Sequence, residues 1–186
     1  MGWHAKGSVL LGTIRFLRER FGEEGFQKVV ARLDPEERQR LESPILPSVW
    51  YPLSFLLGIM RAAKAEFGAS VPDIHSQMGR ASADFALSSM YSMVFKITST
   101  QWIISRAAAV FASYYDTGKM SVVENGKGFA VLEMIEFAEP APELCERIGA
   151  WCARVLEQCG EKSVKVEHNQ CRCRGDSTCR FTAQWK

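Results

Sequence analysis

The hydrophobic pattern changes period near Asp116, and this constrains the fold more than any other feature of the chain. Before it, apolar residues recur at helical spacing. Ser8 to Phe21 carries Val9, Ile14, Phe16, Leu17 and Phe21; Gly22 punctuates it, and Gly25 to Leu33 makes a second short amphipathic set. Asp34-Pro35-Glu36-Glu37 has the chemistry of a helix start: a capping Asp, Pro at the first helical position and acids in the first turn. Ser43 to Pro52, with three prolines, reads as a connector. Leu53 to Phe67 reads as an apolar helix closed by Gly68, Val71-Pro72-Asp73 opens a helical tract toward Lys96, and Ser99 to Tyr115 reads as one further helix.

After Asp116 the residues alternate. Met120 to Glu124 and Phe129 to Phe137 flank Asn125-Gly126-Lys127-Gly128, a hairpin signal. A helix is predicted from Glu143 to Gln158, ended by Gly160. Ser163 to Cys171 and Cys179 to Trp185 then read as two strands about a turn at Arg174-Gly175-Asp176-Ser177. In the last strand Cys179, Phe181, Ala183 and Trp185 face one way and Arg180, Thr182 and Gln184 the other. The expectation is an α+β fold: an N-terminal helical layer packed on a four-stranded antiparallel sheet made of two β-hairpins separated by a helix. Residues 1–186 are read as a single domain, 1–116 mainly helical and 117–186 ββαββ, because four strands are too few to cover both of their own faces.

Composition excludes several classes. With 47% apolar and 24% charged residues the chain is not disordered. A net charge of +2 gives no footing for nucleic acid. Arg and Ser interrupt the apolar runs well short of a bilayer span, so no membrane insertion is expected. Arg15 and Arg18-Glu19-Arg20 stand where a signal-peptide cleavage site would be, and Lys6 breaks the myristoylation pattern begun by Met1-Gly2. The expected location is the cytoplasm, where the six cysteines are reduced thiols or metal ligands rather than a disulfide framework.

Cys145, Cys152 and Cys159 recur every seven residues on one predicted helix, in a stripe with Ile148 and Val155. Seven helical residues rise about 10 Å, so at most one of the three can serve a given ion; Cys152 and Cys159 read as small core fillers. The second cluster is His168-x-x-Cys171-x-Cys173-x5-Cys179. A hairpin about Gly175 sets Cys171 opposite Cys179, and thiolates with an imidazole suit tetrahedral zinc. His168 and Cys171 share a face only if a bulge intervenes, and Asn169-Gln170 is the place for it. A cysteine on the preceding helix would complete the set. Spacing alone leaves buried thiols and a hairpin disulfide open beside the metal.

Two stretches carry a resemblance. Cys171-Arg-Cys-Arg-Gly-Asp-Ser-Thr-Cys179-Arg-Phe-Thr-Ala-Gln-Trp185 resembles the closing motif of the 4-vinyl reductase-type domain. The run-up through Tyr114-Tyr115-Asp116-x-Gly118 and Leu144-Cys145-x3-Gly149-x6-Leu156-x3-Gly160-x3-Val164-x-Val166 is similar to the same superfamily. It unites nitric-oxide-sensing haem domains, sensor domains of phenol-responsive activators and TRAPP tethering subunits. The match covers about Tyr114 to Trp185. The phenol sensors hold zinc with an upstream Cys, then Glu-x-x-Cys, then a Cys eight residues on. The resemblance thus implies a structural zinc on Cys145, His168, Cys171 and Cys179, with His168 in place of the Glu. The haem branch uses a helical proximal His and Tyr-x-Ser-x-Arg, which this chain lacks; His75 reads as an ordinary helix-start residue and His4 as part of a frayed terminus, so haem is not expected.

No phosphate loop, nucleophile elbow or catalytic base pair is present, and the chain is expected not to be an enzyme. An aromatic and Met-rich set remains, readable as core or as the wall of an apolar cavity. The candidate ligand residues are Met90, Tyr91, Trp102, Phe111 and Tyr114. The leading expectation is a stand-alone sensor domain, homodimeric, holding an apolar or aromatic ligand between helices and sheet and signalling through a protein partner. The alternatives are an interaction module with a filled core, and an enzyme acting on an apolar substrate.

Overall fold

The computed structural model describes residues 2–86, 99–137 and 141–186. Helices make up the first part: α1 (Gly7–Ala31), α2 (Pro35–Leu41), α3 (Leu53–Phe67), α4 (Ile74–Ala86), α5 (Thr100–Ser105) and α6 (Ala107–Tyr114). Gly22 interrupts α1 with φ 70°, ψ 178°, a conformation open to glycine. Asp34 caps α2 by accepting from the Glu37 amide, as its sequence dictates. The tract expected to run to Lys96 is helical to Ala86, beyond which it lies outside the described residues. The helix expected over Ser99 to Tyr115 is two, broken at Arg106, whose φ −93°, ψ −1° ends α5 in a tight turn.

The sheet comprises β3 (Lys119–Gly126), β4 (Phe129–Ile135), β5 (Lys165–Gln170) and β6 (Cys179–Gln184), antiparallel in the order β3-β4-β6-β5. Helix α7 (Pro142–Gln158) links the two hairpins. The inner face pairs Met134 with Cys179, Leu132 with Phe181 and Ala130 with Ala183, all buried. On the outer face Arg180 grips Glu133 through Nε at 2.8 Å. Helix α7 lies against both α4 and β5. Its approach to α4 needs Gly79, because a Cβ there would sit 2.2 Å from the Arg147 carbonyl oxygen. Buried residues of the helical part and of the ββαββ part form one continuous cluster, with Phe55, Phe137 and Phe181 among its largest fully buried members. No helix among the described residues is long and apolar enough to cross a membrane.

A second, two-stranded sheet corrects the reading of the N-terminus as frayed. Strand β1 (His4–Lys6) pairs with β2 (Trp50–Pro52), the end of the supposed connector, and Ala5 bridges Tyr115. Asp116 fastens it: its carboxylate accepts from the His4 amide and meets His4 Nδ1, both at 2.6 Å. The partners are 112 residues apart, a distance that local patterning does not register.

Candidate metal centre

The site begins with a register shift. β5 pairs His168 with Phe181, then Gln170 with Arg180, so an extra residue lies between His168 and Gln170. This is the bulge that places His168 and Cys171 on one side. The His168 ring stacks on Phe181, centroids 4.5 Å apart and 10° from parallel. Beyond β5 the chain turns through a 3-10 segment (Arg172–Arg174) and Gly175, which has φ 94°. Asp176 fixes this turn: its Oδ2 accepts from the Cys171 amide at 2.7 Å, while its own amide donates to the Cys171 carbonyl at 3.2 Å. Cys179 opens β6 on the inner face, and α7 brings Cys145 down onto it.

The result is four donor atoms, one each from Cys145, His168, Cys171 and Cys179, all within 4.8 Å of one another. The three thiols are buried. Cys145 and Cys179 Sγ lie 3.8 Å apart. A tetrahedral zinc with Zn–S bonds of about 2.3 Å separates its sulfurs by about 3.8 Å. His168 Nε2 is buried with no hydrogen-bond partner among the described residues. A buried ring nitrogen beside three thiols is a donor set that could hold a metal ion.

Electrostatics supports the same chemistry. A hydrogen bond from the Cys145 thiol holds Cys179 down at about 5, opposed by burial and reinforced by the Arg172 amide. That amide donates to Cys179 Sγ at 3.4 Å. Cys145 is pushed up, first by the shared proton and then by burial. The asymmetry favours the thiolate at Cys179, the form that binds metal.

Cys152 and Cys159 stand apart from the four, and burial pushes them up to about 12 and about 11. Cys173 is exposed and outside the ligand set.

The candidate ligand residues are distributed differently. Phe111 is buried against Phe137 and Tyr115, with centroids 6.1 and 5.1 Å away. Tyr114 is half-buried edge-on to Trp151 at 6.3 Å. Trp102 is 44% exposed beneath the Arg106 guanidinium and does not join them. Met90 and Tyr91 lie outside the described residues. Two hollows stand out, both open to solvent: one of about 220 Å³ between α1 and α4, and one of about 340 Å³ between α4, α7 and β5, bordered by Cys145 and His168.

Sequence reasoning missed a buried polar knot. Arg147, only 3% exposed, donates through Nη1 to the Tyr115 hydroxyl at 3.0 Å and through Nη2 to the Ser82 hydroxyl at 2.8 Å. The available signal was position: Leu144, Arg147, Ile148, Trp151 and Val155 follow the i, i+3, i+4, i+7 rhythm of an apolar face, with a cation inside it.

No protein-family model and no curated protein sequence matches this chain. Solved structures do. An H-NOX protein from S. oneidensis in the Fe(II)NO state superposes with a TM-score of 0.75 at 13% identity, over 97% of this chain and 99% of that one. An Fe(II) unliganded H-NOX protein from K. algicida gives 0.70 at 11%, over 97% and 96%. An oxygen-binding H-NOX domain related to soluble guanylate cyclases gives 0.68 at 14%, over 97% and 95%.

These neighbours correct the expectation about haem. The fold is shared, helical part included, with iron-bearing H-NOX proteins, so a missing Tyr-x-Ser-x-Arg is no basis for setting haem aside. The histidines of this chain do not themselves fit an iron in the interior. His4 pairs with Asp116, His75 meets the Met60 carbonyl and Glu146, and His168 stands in the sulfur cluster. At such identities the likeness fixes the architecture: this chain has the H-NOX fold over nearly its whole length.

Proposed function

We propose that the chain is a small-molecule-binding sensor domain on the H-NOX-type fold, with a structural zinc on Cys145, His168, Cys171 and Cys179. The observation that carries the metal is the convergence of four donors within 4.8 Å around an unmet imidazole nitrogen. The fold supports the sensing role, because its solved relatives are described in NO- and oxygen-bound forms. Zinc would neutralise the thiolates and lock the β5–β6 hairpin to α7. The chain's own residues do the rest. Asp176 holds Cys171 in place, Phe181 orients the His168 ring, and the Arg172 amide donates to Cys179 Sγ. The ligand would be apolar or aromatic and sit between the helices and the inner sheet face, against Phe111 and Tyr114. A homodimer and a protein partner for output belong to this reading.

One observation favours the interaction-module alternative. Trp3, Leu46, Val49 and Trp50 are exposed large apolar residues, all at the β1–β2 end of the molecule.

Native mass spectrometry of the freshly purified chain tests the proposal. A single zinc per chain, lost in Cys179→Ser, a retained small molecule and a dimer are expected; an absorbance spectrum of the same sample reports haem. The mass of a bare monomer would end the proposal.

A further inference from the structure

We propose that the ligand is recognised as an anion, a small monocarboxylic acid with an apolar or aromatic body, whose carboxylate is received by Arg147, Tyr115 and Ser82. This deepens the sensor reading and rests on it.

Arg147 is a permanent cation in the protein interior, and burying a charge is unfavourable unless it is paired. Among the described residues it meets neutral acceptors alone: the Tyr115 and Ser82 hydroxyls and, at 3.5 Å, the Val9 carbonyl. That carbonyl already accepts from the Thr13 hydroxyl. The carboxylates nearby are engaged elsewhere: Glu143 with Arg61, Glu146 with His75, and Asp84 with Arg154. Arg154, two turns further along the same side of α7 and partly exposed, has two carboxylate partners, Asp84 and Glu157, where water would have served. The buried Arg147 has none among the described residues.

Donors exceed acceptors. A guanidinium carries five N–H groups, and Arg147 Nε has no partner among the described residues. The Tyr115 and Ser82 oxygens are occupied as acceptors, which leaves each hydroxyl proton to give. Neither proton has an acceptor among the described residues. Three unmet donors from α7, α4 and the residue after α6 therefore meet around one fixed positive charge. A carboxylate supplies the missing charge and two acceptor oxygens, in the planar geometry that a guanidinium edge matches.

The Tyr115 ring lies 5.1 Å from Phe111 and 6.0 Å from Phe137, so aromatic side chains adjoin the polar end. Gly12 keeps the Ser82 hydroxyl clear, since a Cβ there would stand 2.9 Å from Ser82 Oγ.

The test titrates the purified full-length chain with benzoate, butyrate, acetate and formate, and with benzamide as an uncharged shape control, following thermal midpoint and calorimetric Kd. Benzoate or butyrate is expected to bind at least about tenfold tighter than benzamide and to raise the midpoint by about 3–5 °C at ten times its Kd. Arg147→Met should weaken the carboxylate at least about tenfold and leave benzamide unchanged. Tyr115→Phe keeps the ring and the charge and should weaken it about threefold to tenfold, which keeps the test decisive if Arg147→Met does not fold. Equal binding of benzoate and benzamide, insensitive to either variant, would refute the anion and leave the apolar-ligand reading standing. Silence from all four carboxylates, in a chain that retains a neutral molecule on purification, would refute it as well. Silence from every probe and a purified chain without ligand would overturn both readings.

Discussion

Stripping the metal should lower the thermal midpoint by an amount the fold itself sets. Cys145 and Cys179 are 34 positions apart. A cross-link closing a loop of that length removes about 3.8 kcal/mol of chain entropy from the unfolded state. The imidazole nitrogen of His168, left buried and unmet, adds about 1–3 kcal/mol to the loss. For a chain of this size 1 kcal/mol moves the midpoint by about 2–4 °C, so removal should lower it by about 10–27 °C. The assay is differential scanning fluorimetry under reducing conditions, comparing protein as purified, protein treated with chelator, and treated protein given zinc again. Cys152→Ser is the control: its thiol is outside the ligand set and should leave the chelator effect intact. A midpoint that moves by less than about 2 °C on chelation, in protein shown to hold zinc beforehand, would refute the clamp.

Other perturbations probe the frame around the site. Phe181→Ala removes the fully buried ring beneath His168; chemical denaturation should show a loss of about 3–5 kcal/mol, together with weaker zinc retention. Gly79→Ala drives a Cβ against the Arg147 carbonyl and should destabilise by about 1–3 kcal/mol, read from urea midpoints. Asp116→Asn weakens the clasp on His4, and hydrogen exchange should show faster exchange of the β1 amides with little change in the sheet. Glu157 is held below its ordinary value of 4.5, first by Arg80 and also by Arg154. A lowered carboxylate binds fewer protons in the folded state, so its contribution is present above 4.5 and fades as pH falls through the folded value. Glu157→Gln should flatten that part of the stability curve.

The alternation of Cys179 to Trp185 and the hairpin glycines made the sheet legible, because a half-buried strand must show its faces in order. The bulge before Cys171 was legible too: His168 and Cys171 could cooperate only if one residue were extra. The N-terminal strand was not. Its partners, Trp50 to Pro52 and Tyr115, are chosen by tertiary contact, and three-residue strands carry no period to detect. The break at Arg106 was hidden for a different reason. Ile103, Ala107, Val110 and Phe111 keep helical spacing across it, so the pattern continues where the backbone does not. The bearing on haem was invisible in the motifs, since over 97% of the chain the likeness is in the shape, at 11–14% identity.

Helix α7 shows why its cysteine stripe was only part of the picture. A helix turns about 100° per residue, so Cys145 and Arg147 point about 200° apart, to opposite sides. Both are nevertheless buried. One side meets Cys179 at the head of β6; the other meets Ser82 on α4 and the Val9 carbonyl on α1. A helix buried over so wide an arc carries interior positions beyond its cysteine stripe, and one of these holds the charge. The same helix carries a metal ligand and, two residues on, the proposed anion receptor, so α7 is where a coupling between zinc and carboxylate would be sought, and by reciprocity each would change the other's affinity by the same factor.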